Sequence, residues 1–199
     1  IKTKNSISPE GIYLSADGKR LVIANYDGHS VTCFDVSTSV PAEIWSTRLL
    51  YSHGVCIVGD LVYATGLSDR VIAEIDMKTG NILRKSGKIG WNPANNEFMW
   101  PVWIYPLSND SLILSDAHSG YISIINRNTL KVVDYFGGNG PSFKHLDMPY
   151  SVIVHNDRII ILSTYQGRII VGDRYSYKMN ECIAMNKDDW RYIKTLPAY

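Results

Sequence analysis

The feature that most constrains this chain is a turn written four times. Residues 76–80 read DMKTG, and an Asx residue followed three positions later by Thr or Ser recurs as Asp35-Val-Ser-Thr38, Asp76-Met-Lys-Thr79, Asn126-Arg-Asn-Thr129 and Asp173-Arg-Tyr-Ser176. The first residues of the copies are 41, 50 and 47 positions apart. An Asp or Asn side chain accepts from backbone N–H groups just ahead of it, and a hydroxyl further along closes the turn. A recurrence at roughly 40–50 residues marks a blade-like repeat, each unit of which needs its neighbours to bury its faces.

Other features keep the same phase. Two β-like runs precede each turn: Leu21–Ala24 and Val31–Phe34, Leu61–Ala64 and Val71–Ile75, Leu112–Ser115 and Ile122–Ile125, Ile160–Ser163 and Ile169–Val171. They are short, rich in β-branched residues and bounded by Gly, Asp and Asn, which reads as strands. A further run comes before each pair: Gly11–Leu14, Gly54–Ile57, Trp103–Tyr105 and Ser151–Val154. Tight turns join it to the next at Asp17-Gly18, Gly59-Asp60, Asn109-Asp110 and Asn156-Asp157. Four antiparallel strands per repeat predict an all-β chain folded as a β-propeller with four recognisable four-stranded blades. Their approximate limits are 6–50, 51–98, 99–147 and 148–186, in one domain over 1–199, with 187–199 a tail or the start of a next blade. Middle strands covered on both faces account for nearly continuous apolar runs such as Arg158-Ile-Ile-Ile-Leu162.

Composition narrows the function. Lys plus Arg is 20 against 19 for Asp plus Glu, so no bulk charge draws the chain to a phosphate backbone and nucleic acid is not an expected partner. No apolar stretch reaches the ~18 residues of a membrane span. Cys33, Cys56 and Cys182 form neither a CxxC nor a disulfide framework, and Cys33 and Cys56 lie in β-like runs as small core hydrophobes. The chain opens with Ile rather than Met, and both secreted and cytoplasmic readings stay open.

Residues 15–39, SADGKRLVIANYDGHSVTCFDVSTS, resemble a YVTN-type propeller repeat. Residues 135–174 resemble an NHL repeat, with a Phe-Gly, a Gly-rich spacer, a Pro, a strand and a Gly-Arg-Ile step. The resemblance covers about residues 6–184. It implies a six-bladed-type propeller, so four blades make this either part of a larger propeller or an unusually small one, with missing blades or a partner chain completing it. Open blade edges would otherwise be pairing hazards.

In propellers the innermost strand of each blade lines the channel, and the residue before it faces the usual ligand site. Those positions here are Glu10, His53, Val102 and Tyr150. Resemblance to gluconolactonase-like enzymes would make Glu10 a metal ligand, and resemblance to peptide-amidating lyases would do the same for His53. A zinc or hard-cation site needs three or more such donors, and Val102 and Tyr150 stand where others would be. The column Asn25, Thr65, Asp116 and Thr164 reads as structural, satisfying loop backbone groups. Residues 87–103, GKIGWNPANNEFMWPVW, lengthen the second unit and hold Trp91, Trp100 and Trp103, rigid rings of the kind that bind sugars or peptides or fill an interface.

The expected function is a binding or scaffold module that docks a protein, peptide or glycan at one rim or the channel mouth without a cofactor. Its contacts would be Glu10, His53, Tyr150, Trp91, Trp100 and Trp103. The alternative is a metal-assisted hydrolase or lyase, with a divalent ion on Glu10 and His53 and Tyr150 as catalytic acid or base.

Overall fold

The computed structural model describes residues 7–140, 144–186 and 189–196, with side chains described as far as residue 180. The fold is all-β: four antiparallel sheets built in chain order as a propeller. The first sheet is β1 (Pro9–Leu14), β2 (Arg20–Asn25), β3 (Ser30–Asp35) and β4 (Ala42–Arg48). The second is β5 (Ser52–Val58), β6 (Leu61–Gly66), β7 (Val71–Asp76) and β8 (Ile82–Ser86). Two short strands, β9 (Lys88–Ile89) and β10 (Glu97–Phe98), pair in parallel around a single 3-10 turn at Pro93–Asn95. The third sheet is β11 (Pro101–Pro106), β12 (Ser111–Asp116), β13 (Tyr121–Asn126) and β14 (Lys131–Gly137). The fourth is β15 (Pro149–His155), β16 (Arg158–Ser163), β17 (Arg168–Asp173) and β18 (Met179–Asn186), and β19 (Asp189–Leu196) adds a fifth, outermost strand. Residues 187, 188 and 197–199 of the tail lie outside the described residues, as does the Cys182 side chain.

The apolar runs work as the two-sided pattern requires, because successive side chains of a strand point to opposite faces. Val62 and Ala64 of β6 join Val22, Ala24, Val31 and Cys33 in the core between the first two sheets. Tyr63, between them in sequence, turns the other way to pack with Ile104, Leu112 and Leu114 of the third sheet. Ile113 in turn meets Val152, Ile159 and Ile161 of the fourth. Burial pushes the Cys33 thiol up to about 11 and the Cys56 thiol up as well, so both stay protonated.

Three of the four Asx turns close as their spacing requires. The Asp76 carboxylate accepts from the Thr79 N–H and hydroxyl, both at 2.7 Å. Asn126 does the same with Thr129, and Asp173 with Ser176. Each of these turns ends on a residue of positive φ, Gly80, Leu130 or Tyr177. The first copy differs: Asp35 accepts from the N–H and hydroxyl of Ser37, while Thr38 donates to the Val40 carbonyl. The link from Asp35 to Ala42 is longer, so the turn is drawn tight one residue earlier.

The innermost strands β1, β5, β11 and β15 lie side by side in that order. Every one carries a register shift at its start: between Pro9 and Gly11, Ser52 and Val55, Pro101 and Trp103, and Pro149 and Ser151. A β-bulge of this kind removes a residue from the ladder and re-aims its side chain. The residues caught in the four bulges include Glu10, His53, Val102 and Tyr150.

Candidate functional site at the bulged mouth of the inner strands

Close backbone approach brings the bulges together. A Cβ on Gly11 would stand 2.3 Å from the His53 carbonyl oxygen, and one on Gly54 would stand 2.6 Å from that of Val102. Neither position tolerates a side chain, and the hydrogen at each lets the first and third inner strands close on β5. The Gly54 N–H donates to the Thr65 hydroxyl at 2.8 Å, which fixes the bulge that presents His53. Asp116 accepts from the N–H groups of Met99 and Trp100 at 2.6 and 2.7 Å and so holds the segment that leads into β11. Thr164 donates to the Met148 carbonyl ahead of β15. Asp116 and Thr164 thus serve loop backbone groups as the sequence implied, while Thr65 serves a strand bulge. Asn25 instead donates to the Ser30 and Thr32 hydroxyls inside its own sheet.

Three side chains from three sheets meet here. The Nε2 atom of His53 lies 3.1 Å from the Tyr150 hydroxyl, the donor following the imidazole tautomer. The same Nε2 is 3.9 Å from a Glu10 carboxylate oxygen. His53 is 3% exposed, while the Glu10 side chain is 41% exposed. Burial holds the His53 pKa below the ordinary imidazole value, against the opposite pull of the Glu10 carboxylate and the Val102 and His53 carbonyls. The imidazole is therefore neutral near pH 7. Burial, with Glu10 and Tyr26 nearby, raises the Tyr150 pKa and keeps its hydroxyl protonated.

Rings extend the site along this rim. His29 contacts Tyr51, Tyr51 contacts Tyr26, Tyr26 contacts His53 and His53 contacts Tyr150, with centroid separations of 4.3, 5.0, 6.1 and 5.2 Å. Tyr26, Trp100, Trp103 and Tyr150 pack against one apolar cluster of Leu67, Val102, Ala117 and Met148. Trp100 also stacks edge-on with His118 at 4.1 Å. Trp91 stands apart, 60% exposed on the inserted segment. That segment is tied down otherwise: Asn96 donates to Ser86 and accepts from the Val132 N–H, and Phe98 is fully buried. Tyr26 and Tyr51 were not singled out in the sequence. The one signal for Tyr26 is its place directly after Asn25, at the end of a second strand.

The donor set is small. Among the described residues no group of three or more His, Cys, Asp or Glu side chains could hold a metal ion, so Glu10 and His53 gain no third ligand of these types. Within the same residues, no helix is long and apolar enough to cross a membrane.

The fold and this mouth define a β-propeller with a polar and aromatic site at one end of its inner strands. No family model matches the sequence, and no curated protein matches it either. Solved structures do. The chain is similar to Kuenenia stuttgartiensis hydrazine synthase (17% identity, TM-score 0.67, 99% of this chain and 51% of that one). It is also similar to a chain of a nidogen/laminin complex (15%, TM-score 0.69, 92% and 66%). A third similar structure is a protein of unknown function from Bacteroides caccae (12%, TM-score 0.64, 88% and 60%). The chain thus spans about half to two thirds of the length of the chains it matches.

Proposed function

We propose that the chain is a binding module whose ligand, a protein, peptide or glycan, docks at the mouth formed by Glu10, His53 and Tyr150 and bordered by Trp100 and Trp103. The observation that carries this reading is the meeting of three polar side chains from three different sheets, each re-aimed by a bulge. Building such a convergence takes a buried histidine, and burying an imidazole costs free energy that packing alone does not require. Trp103 Nε1 and His53 Nδ1 are buried and have no well-formed hydrogen bond within the protein. One of the similar structures is a nidogen/laminin complex, which supports a protein ligand. We read the repeats as NHL/YVTN-like and residues 1–199 as one propeller domain. Trp91 is the outlying contact, reached only by a ligand that extends along the inserted segment.

The test is selection from a random peptide library and from a glycan array with the wild-type chain, repeated with Tyr150→Ala. Binders that weaken about tenfold or more in the variant support the reading, since central aromatic anchors dominate such interfaces. Binders insensitive to Tyr150, or none from either source, overturn it.

A further inference from the structure

We propose that this mouth takes a positively charged nitrogen group, a guanidinium or an ammonium, held by the Glu10 carboxylate against the Tyr26, His53 and Tyr150 rings. The inference deepens the proposed function and rests on that reading of the site.

Charge is the first reason. The only ion-pair contact of Glu10 among the described residues is with His53, 3.9 Å away. His53 is buried and neutral, so it offers the carboxylate no compensating charge. Other acidic groups nearby are engaged: Asp116 by the Met99 and Trp100 N–H groups, Asp27 by the Ser8 hydroxyl and Asp69 by Lys85. Among the described residues the Glu10 carboxylate has neither a hydrogen-bond donor nor a charged cation against it, and it is accessible. An anionic ligand would be repelled there.

The surrounding chemistry points the same way. Aromatic faces attract a cation within about 6 Å of the ring centroid. Tyr26, His53 and Tyr150 form a continuous arc of rings on the side of Glu10, and Tyr51 prolongs it. A guanidinium or ammonium carries only donors, and its natural partners are carboxylate, phenol and neutral imidazole acceptors. The Glu10 carboxylate and the Tyr150 hydroxyl stand together at the mouth, on either side of the His53 ring. His53 is more than nine-tenths buried, and its Nδ1 has no well-formed hydrogen bond within the protein. The ring therefore backs this wall without adding a charge to it. A histidine in the charged state would instead satisfy Glu10 internally and close the site to a cation.

The cation has two sources, a basic side chain of a peptide or a free small amine. The test is an amide chemical-shift titration of the whole chain with N-acetyl-arginine amide, N-acetyl-lysine amide, methylguanidinium and the neutral isostere N-acetyl-citrulline amide. The expected result is saturable shifts at the Gly11, Gly54 and Ser151 amides with a cationic probe, and citrulline at least about tenfold weaker, because a charge-assisted contact to carboxylate is lost. Tighter binding of the amides than of methylguanidinium assigns a peptide source, and equal binding a free cation. Glu10→Gln is expected to abolish the preference for charge with the spectrum otherwise unchanged. Tyr26→Leu gives an independent variant, expected to weaken every cation severalfold. Citrulline binding as well as arginine, or cationic probes indifferent to both variants, or no shift with any cation, overturns the inference. The wider reading fails separately. Library binders without a basic residue that are still lost in Tyr150→Ala would keep the binding module and remove the cation.

Discussion

The two rims of the molecule use polar side chains differently. At the rim of the Asx turns they latch neighbouring sheets. Trp45 of the first sheet donates to the Met77 carbonyl of the second at 2.8 Å. Arg84 of the second makes a paired contact with Glu74 at 2.9 and 2.7 Å and reaches on to the Arg127 and Asn128 carbonyls of the third. Arg127 returns to the Tyr63 hydroxyl, and Arg174 of the fourth sheet donates to the Leu107 carbonyl of the third. Charges here face opposite charges, carbonyls or, for Arg127, a phenol hydroxyl. At the other rim Glu10 faces a neutral imidazole, and His53 Nδ1 and Trp103 Nε1 have no well-formed hydrogen bond. Both rims grow from the same repeat, so the difference is a matter of which side chains occupy equivalent positions. One end ties the sheets together through charged side chains, and the other does so through neutral and backbone groups while the Glu10 carboxylate stays exposed.

The contrast can be broken first at the glycine that joins the inner strands. Gly54→Ala places a Cβ among Val102 and Trp103 backbone atoms at 2.6–2.8 Å, so destabilisation of about 3 kcal/mol is expected in urea unfolding, with both rims disturbed. Next comes the latch rim. Glu74 is buried and Arg84 partly exposed, so Glu74→Ala is expected to cost about 2 kcal/mol, less than a fully buried pair because solvent reaches the guanidinium. Calorimetry would show a midpoint lowered by roughly 4–8 °C.

Acid sharpens the same comparison. The Asp35 carboxyl is held down at about 2 by its Ser37 bonds and Arg20, and the Asp76 and Asp173 carboxyls are lowered by their own turn hydroxyls and N–H groups. Stability from a depressed carboxyl is complete above its unfolded pKa and is lost as pH falls through the folded value. Asp76→Asn, which copies the natural Asn126 turn, is expected to keep neutral-pH stability and to flatten the part of the acid loss that sets in as pH falls below the ordinary carboxylate value, followed by circular dichroism.

At the site rim the sign is the same but the group differs. The His53 pKa is lowered, so its stabilising effect is complete above the ordinary imidazole value and falls away as pH drops below it. The groups facing it are the Glu10 carboxylate, the Tyr26 and Tyr150 rings and the Val102 and His53 carbonyls, of which only Glu10 is charged. Wild type is expected to lose more stability than His53→Gln between pH 7 and 5. Tyr150→Phe takes away the hydrogen bond at Nε2 of the buried His53 and is expected to cost about 1 kcal/mol. The smallest effect belongs to the exposed Glu10→Gln, expected to change stability by less than about 0.5 kcal/mol.

Much of the first rim was legible in the sequence because turn chemistry is local. Asp76 and Thr79 are three residues apart and find each other without help from the fold. The departure at Asp35 and Ser37 depended on the length of the link to β4, which the motif does not encode. The latches were not legible: Trp45 and Met77 are 32 residues apart, and no repeat phase pairs them. Repeat phase picked out Glu10, His53 and Tyr150 as equivalent positions, and the bulges are the physical reason that they face one another. Composition grouped Trp91 with Trp100 and Trp103, yet only the latter two join the apolar cluster with Tyr150. The ring contacts from Tyr26 to Tyr51 and His53 depend on the stacking of two sheets, which lies beyond any single repeat.

The most direct measurement pairs stability with binding in two variants, Glu10→Gln and Glu74→Ala, using library-selected peptides as probes. Glu10→Gln is expected to unfold at the wild-type midpoint and to bind at least about tenfold more weakly, while Glu74→Ala unfolds early and binds as wild type does under native conditions. A Glu10→Gln variant that unfolds early, or that binds like wild type, would contradict the division of labour between the two rims.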